Sequence, residues 1–199
     1  MVDQLPMIQS ATAMADSLVA GGAGVMPTDT LPALVAVPAH AGQIWTLKQR
    51  PGEKPLILMA ATPEPLLALA LPEVQDAARG LVQRHWPGAL TLVVPLRDDP
   101  LARSFLEALN PGATTLGLRV PACDQARGLL ALTGPLATTS ANPSGAPPAL
   151  NADEASRYFP QLPVLGPVPW PEHGGQASTV LAWAGQGLWQ TLRPGAVIP

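Results

Sequence analysis

The chain has 199 residues, of which 47% are hydrophobic and only 13% charged. That is enough to bury a real core while leaving a surface of unusually low charge, which excludes a peptide hormone and a large modular protein. Eleven basic and 14 acidic residues give a net charge of −3, so no overall positive field exists to hold a nucleic-acid backbone, and any RNA contact needs a local patch. The single cysteine, Cys123, excludes an intrachain disulfide and a Cys-rich zinc site, and makes the cytoplasm the expected compartment. No basic region precedes an apolar stretch at the amino terminus, so no secretory signal is expected. The uncharged stretch 128–152 is broken by Gly134, Pro135, Pro143, Gly145, Pro147 and Pro148 and is no membrane span.

In chain order, Ile8, Ala11, Met14, Ala15 and Leu18 recur at helical spacing and predict an amphipathic helix stopped at Gly21-Gly22. A strand at 24–26 follows, then the polar turn Pro27-Thr28-Asp29-Thr30 and an apolar run at 31–37. A helix begins near Ala41 and ends near Arg50, because Pro51 disfavours helical geometry before it. Residues 56–60 read as a buried strand, 64–71 and 73–85 as helices, and Trp86-Pro87-Gly88 as a turn before a strand at 90–94. Beyond a helix at 101–109, strand 115–120, helix 124–132 and strand 136–139 continue the alternation. Asn151 and Glu154 have capping-box spacing ahead of a helix through Tyr158. The Pro-rich stretch 160–171 reads as an ordered surface loop, and strands at 178–183 and 188–192 close the chain. This alternation predicts a single domain over 1–199 with α/β layering.

Three clusters carry candidate chemistry. Lys48, Arg50 and Lys54 fall within seven positions and include both lysines of the chain. They suit an anion-binding loop of two point charges and a guanidinium fork, or equally a helix end neutralised by cations. Thr138 to Gly145 leave an apolar strand with hydroxyl, amide and backbone donors and no carboxylate. Such a loop fits phosphate or ribose oxygens, or is a turn satisfying its own backbone. Thr28-Asp29-Thr30 could hold a small polar ligand or, through Asp29, a cation. Arg119 lies inside an apolar strand, so it requires an anionic partner, either a structural carboxylate or a bound substrate. Ser178, Thr179 and Arg193 are further donors. No Walker loop occurs, and His40, His85 and His173 lack metal-ligand spacing.

Pro27-Thr28-Asp29-Thr30, Lys48-Gln49-Arg50-Pro51 with Lys54, Trp86-Pro87-Gly88, Leu118-Arg119-Val120, Thr139-Ser140-Ala141-Asn142 with Ser144-Gly145, and Ser178-Thr179 occur in that order. Together they resemble the YrdC-like threonylcarbamoyl-AMP synthase family, in its short single-domain bacterial form. The resemblance implies a twisted open mixed α/β sheet flanked by helices, with a positively lined cavity. It also implies a nucleotidyltransferase that joins L-threonine, bicarbonate and ATP, accompanied by Mg²⁺, into threonylcarbamoyl-AMP and pyrophosphate. The product would serve threonylcarbamoyladenosine formation in tRNA through a downstream tRNA-modifying transferase complex, with at most a weak contact to tRNA itself. By the same resemblance, Lys48 and Arg50 are catalytic and bind ATP with Ser140, Asn142 and Arg193, while Thr30, Arg119 and Ser178 bind threonine; no metal ligand is expected. The chain departs from the family pattern at Pro32 and Ala33, where an aromatic residue and glycine are usual, and at Ala177, where glutamate is usual. The alternative reading is a diverged non-catalytic paralogue that binds nucleotide or structured RNA.

Overall fold

The computed structural model describes residues 6–49 and 54–199. In chain order the elements are β1 (Met7–Gln9), α1 (Ala11–Val19), β2 (Ala23–Met26), β3 (Ala33–Ala36), a short 3-10 turn (Pro38–His40), α2 (Gly42–Leu47), β4 (Ile57–Met59), α3 (Glu64–Leu67), α4 (Pro72–His85), β5 (Leu90–Pro95), α5 (Pro100–Leu109), β6 (Thr115–Arg119), α6 (Asp124–Thr133), β7 (Leu136–Ser140), α7 (Ala152–Tyr158), β8 (Pro163–Leu165), β9 (Thr179–Gly185) and β10 (Leu188–Arg193). The ten strands form one sheet in the order β1-β8-β2-β3-β7-β4-β6-β5-β9-β10. Pairing is mixed: β1 with β8, β2 with β8, β4 with β6 and β5 with β9 are parallel, and the remaining pairs antiparallel. The expected class, an open mixed sheet flanked by helices, is the one found.

Both faces of the central strands are buried. On β3, Leu34 and Ala36 enter one apolar cluster while Ala33 and Val35 enter another on the opposite side. A strand covered twice reads as a continuous apolar run rather than an alternation. The helices start where their sequences allow. Ser10 Oγ accepts from Ala13 N at 3.2 Å to cap α1, whose buried face is Met14, Ala15 and Leu18. Asp99 Oδ1 caps α5 through Ala102 N at 2.9 Å, with Pro100 in the first turn where its missing N–H costs nothing. Asn151 Oδ1 accepts from Glu154 N at 2.9 Å, as the capping spacing requires. The returning arm of the box lands one residue early, with Glu154 Oε2 accepting from Leu150 N.

Three local expectations are corrected. Ile8 lies on strand β1, paired in parallel with Val164, and not on the first helix, because Ser10 caps the helix after it. The stretch 160–171 contains β8, whose Val164 and Leu165 are fully buried between β1 and β2, so it is not wholly a surface loop. Pro163 masks this strand in sequence, yet it occupies the first strand position, where proline is tolerated. The predicted helix 64–71 also stops at Leu67, and Ala70 bridges Leu96 beyond it.

Candidate active site

Strand register assembles a shared hollow. Ala33 of β3 faces Ser140 of β7, Thr138 of β7 faces Ile57 of β4, and Met59 of β4 faces Arg119 of β6. These residues, together with Thr30, Lys54, Thr139, Pro148, Ser178 and Arg193, line a cavity of about 420 Å³. Segments from six regions of the chain therefore converge on one crevice at the strand ends, where open α/β sheets place ligands. Among the described residues its lining includes three cations, Lys54, Arg119 and Arg193, and no carboxylate. Such a lining favours an anionic ligand.

Arg119 is buried, and its guanidinium is held on three sides. Nη2 donates to Asp29 Oδ1 at 2.7 Å, Nη1 to Thr30 Oγ1 at 2.9 Å, and Nε to the Gly88 carbonyl at 3.0 Å. The partner that the apolar strand demands is thus a structural carboxylate. Asp29 also accepts from Ala122 N at 3.0 Å, so the cation it holds is Arg119. Burial pushes the Arg119 pKa down, the Asp29 charge opposes that shift, and the nearby Arg193 charge adds to it. Gly88 fits because a Cβ there would lie 2.4 Å from the His85 carbonyl, so Trp86-Pro87-Gly88 brings a bare backbone against the guanidinium.

Thr28 and Thr30 form a hydroxyl pair at 3.0 Å, with Thr28 Oγ1 donating to Leu31 O at 2.7 Å and accepting from Thr30 N at 3.1 Å. On the far wall, buried Ser178 shares a proton with Thr91 at 2.9 Å. Arg193 curls over it, donating to Ser178 O at 2.8 Å through Nη2 and to Ser178 Oγ at 3.2 Å. Partial burial lowers the Arg193 pKa.

Lys48 follows α2 and is buried. Its ammonium donates to Ser140 O at 2.5 Å and to Asn142 Oδ1 at 3.2 Å, while Ser144 N donates to Lys48 O at 2.9 Å. Lys48 therefore stands beside Ser140 and Asn142 across 92 and 94 residues of sequence. The Asn142 amide is fully committed to Lys48 and its own loop. Oδ1 also accepts from Ser140 Oγ at 2.6 Å, and Nδ2 donates to Pro143 O at 3.1 Å and Ala146 O at 2.6 Å. Asn142 shapes the loop, and Thr139 and Ser140 face the cavity. Arg50 lies outside the described residues.

The sequence leaves the Asp29–Arg119 pair open, and it places Lys54, Thr138 and Thr139 in candidate clusters without giving them individual site roles. A lone carboxylate at one strand end and a lone guanidinium in an apolar strand are the available signal for the first. Lys54, in the same cluster as Lys48, is the signal for the second. Among the described residues no group of three or more His, Cys, Asp or Glu side chains could hold a metal ion, and no helix is long and apolar enough to cross a membrane.

Comparison with known proteins agrees with this architecture. The Sua5/YciO/YrdC family model, described as "Telomere recombination", matches residues 16–195. The threonylcarbamoyl-AMP synthase of Cellvibrio japonicus is 35% identical over 143 residues, covering 70% of this chain and 72% of that protein. The synthase of the same name from Idiomarina loihiensis is 40% identical over 123 residues, 59% of this chain, and the match spans 61% of that relative's length. The crystal structure of Pyrococcus abyssi Sua5 complexed with L-threonine superposes with a TM-score of 0.82 at 28% identity, covering 96% of this chain and 57% of that one. With the family model spanning nearly all of the sheet and the loops around its cavity, the chain belongs to the Sua5/YciO/YrdC family.

Proposed function

We propose that this chain is a threonylcarbamoyl-AMP synthase, a nucleotidyltransferase that consumes L-threonine, bicarbonate and ATP and acts as one domain in the cytoplasm. The observation that carries the reading is the cavity, where Lys54, Arg119 and Arg193 meet the hydroxyls of Thr30, Thr139, Ser140 and Ser178, with no carboxylate in the lining among the described residues. The names of the synthase relatives and the threonine complex of a 28%-identical Sua5 support the choice of substrates.

In the reaction, the threonine amine attacks the carbon of bicarbonate, and water leaves to give a carbamate. A carbamate oxygen then attacks the α-phosphorus of ATP, and pyrophosphate departs with the electrons of the broken P–O bond. No covalent enzyme intermediate is needed, so positioning and charge neutralisation are the protein's contribution. Arg119 keeps one hydrogen on each Nη after its bonds to Asp29 and Thr30, a pair suited to the threonine carboxylate. Lys54 and Arg193 face the phosphates, while the Ser140 hydroxyl, its proton given to Asn142 Oδ1, is left as an acceptor. Lys48 sets the height of the Ser140–Ala146 loop and, with Arg50, adds positive potential. Ser178 orients Arg193.

Among the described residues the donor set does not fit a resident divalent cation: their share of the cavity lining offers neither carboxylate nor imidazole, and Asp29 is bound to Arg119. Mg²⁺ would enter as the companion of ATP, and no step here is routed through it. The mixed anhydride product is labile, so a separate transferase must pass its threonylcarbamoyl group to a tRNA adenosine. The test is pyrophosphate release by the purified chain with Mg-ATP. Release that requires L-threonine and bicarbonate together is expected; release indifferent to either one, or none at all, overturns the proposal.

A further inference from the structure

The hydroxyl pair at the β2–β3 turn has a fixed proton order. A carbonyl oxygen only accepts, so the 2.7 Å contact between Thr28 Oγ1 and Leu31 O uses the one hydroxyl proton of Thr28. The 3.0 Å contact between the two hydroxyls must then be donated by Thr30. Thr28 Oγ1, accepting also from Thr30 N at 3.1 Å, has all three of its hydrogen-bonding positions filled. Thr30 Oγ1 gives its proton to Thr28, takes one hydrogen from Arg119 Nη1 at 2.9 Å, and has one lone pair left. Thr30 is one of the residues that line the cavity.

We infer that Thr28, which does not itself line the cavity, is a positioning residue that sets the polarity of the Thr30 hydroxyl, so that the wall presents an oxygen that only accepts beside a guanidinium that only donates. The matching ligand is an α-amino acid, with its carboxylate on the two remaining Arg119 hydrogens and an amine N–H directed at Thr30. An amine held this way by an N–H keeps its nitrogen oriented by a group that cannot protonate it. The Thr30 proton is already engaged and turned away. A carboxylic acid of the same shape without the amine finds an acceptor facing a methylene and loses that bond. The inference rests on the reading that this cavity takes L-threonine.

Calorimetry with L-threonine and with 3-hydroxybutanoate, its des-amino analogue, tests both levels. Wild-type protein is expected to prefer threonine by about tenfold or more, the range of one hydrogen bond from a charged donor. In Thr28→Val the freed Thr30 hydroxyl can turn and donate, and the preference should fall to within about threefold while the KM for ATP stays within about twofold. Thr28→Ser, which keeps the oxygen, should restore the preference. A purely structural role would instead move both KM values and the melting temperature together. A folded Thr28→Val that keeps the wild-type preference overturns the proton relay and leaves the synthase reading standing. Wild-type protein that binds neither ligand overturns the threonine reading and this inference with it. Should Thr28→Val not fold, the smaller Thr28→Ala is measured by the same ratio, and a preference kept at the wild-type level overturns the relay there too.

Discussion

Two buried cations, Arg119 and Lys48, are 3% and 2% exposed, yet they are built into the molecule in different ways. Arg119 ties together the turn after β2, the backbone at Gly88 and, through Asp29, the backbone at Ala122. Lys48 ties the end of α2 to one loop, through Ser140 O, Asn142 Oδ1 and the Ser144 N–H. A planar fork can serve several acceptors at once in fixed directions, whereas an ammonium is a compact charge at the end of a flexible stem. The first therefore organises a wall drawn from three parts of the chain, and the second, among the described residues, fixes the loop from Ser140 to Ser144.

The sharpest way to break this contrast is Asp29→Asn. It leaves the buried Arg119 charge without its counter-ion, which typically costs about 3–5 kcal/mol. We expect a marked fall in melting temperature and loss of threonine-dependent pyrophosphate release. Adding Arg119→Met to Asp29→Asn should recover much of the stability and none of the activity, because removing both charges of a buried pair is far less costly than removing one. A double variant no more stable than the single one would show that Arg119 is not the group that Asp29 sustains.

Lys48→Met comes next. It keeps the length of the stem and removes the bonds to Ser140 and Asn142, a loss of about 1.5–3 kcal/mol for hydrogen bonds from a charged donor. The consequence should be local. Limited proteolysis between Ser140 and Pro148 should accelerate and the KM for ATP should rise, while the threonine preference is kept. Equal loosening around Asp29 would erase the distinction between the two cations.

How far these arrangements can be read from sequence follows the same division. Short-range patterns yield α1, α4, α5, α6 and the apolar strands to within a few residues, because periodicity and caps are local. β8 escapes, since three residues headed by Pro163 carry no period and become a strand only through β1 and β2 on either side. The Lys48–Ser140–Asn142 cluster is suggested by the family motif order. The Asp29–Arg119 pair, separated by 90 residues, is visible only as two needs: a buried guanidinium wanting an anion and a turn carboxylate wanting a cation. What joins them is the sheet order, which sets β2 and β6 on either side of β3, β7 and β4. No local pattern encodes that order.

The smallest effect uses the sole cysteine as a reporter on the Arg119 side. Cys123 precedes α6, is buried, and lies one residue beyond Ala122, whose N–H binds Asp29. Burial pushes its thiol pKa up, and the Asp29 charge adds to the rise by opposing a second negative charge. Only the thiolate reacts with iodoacetamide, so a raised pKa means a smaller reactive fraction at any pH below it. At about pH 8, alkylation of the native protein should be several-fold slower than that of the unfolded chain, and the rate should climb as pH rises through the elevated pKa. Asp29→Asn removes the repelling charge but also opens the surrounding wall, and both changes speed the reaction. Lys48→Met, acting on a different segment, should leave the rate within about twofold of wild type. Alkylation accelerated equally by both substitutions would mean that the two buried cations share one cooperative unit.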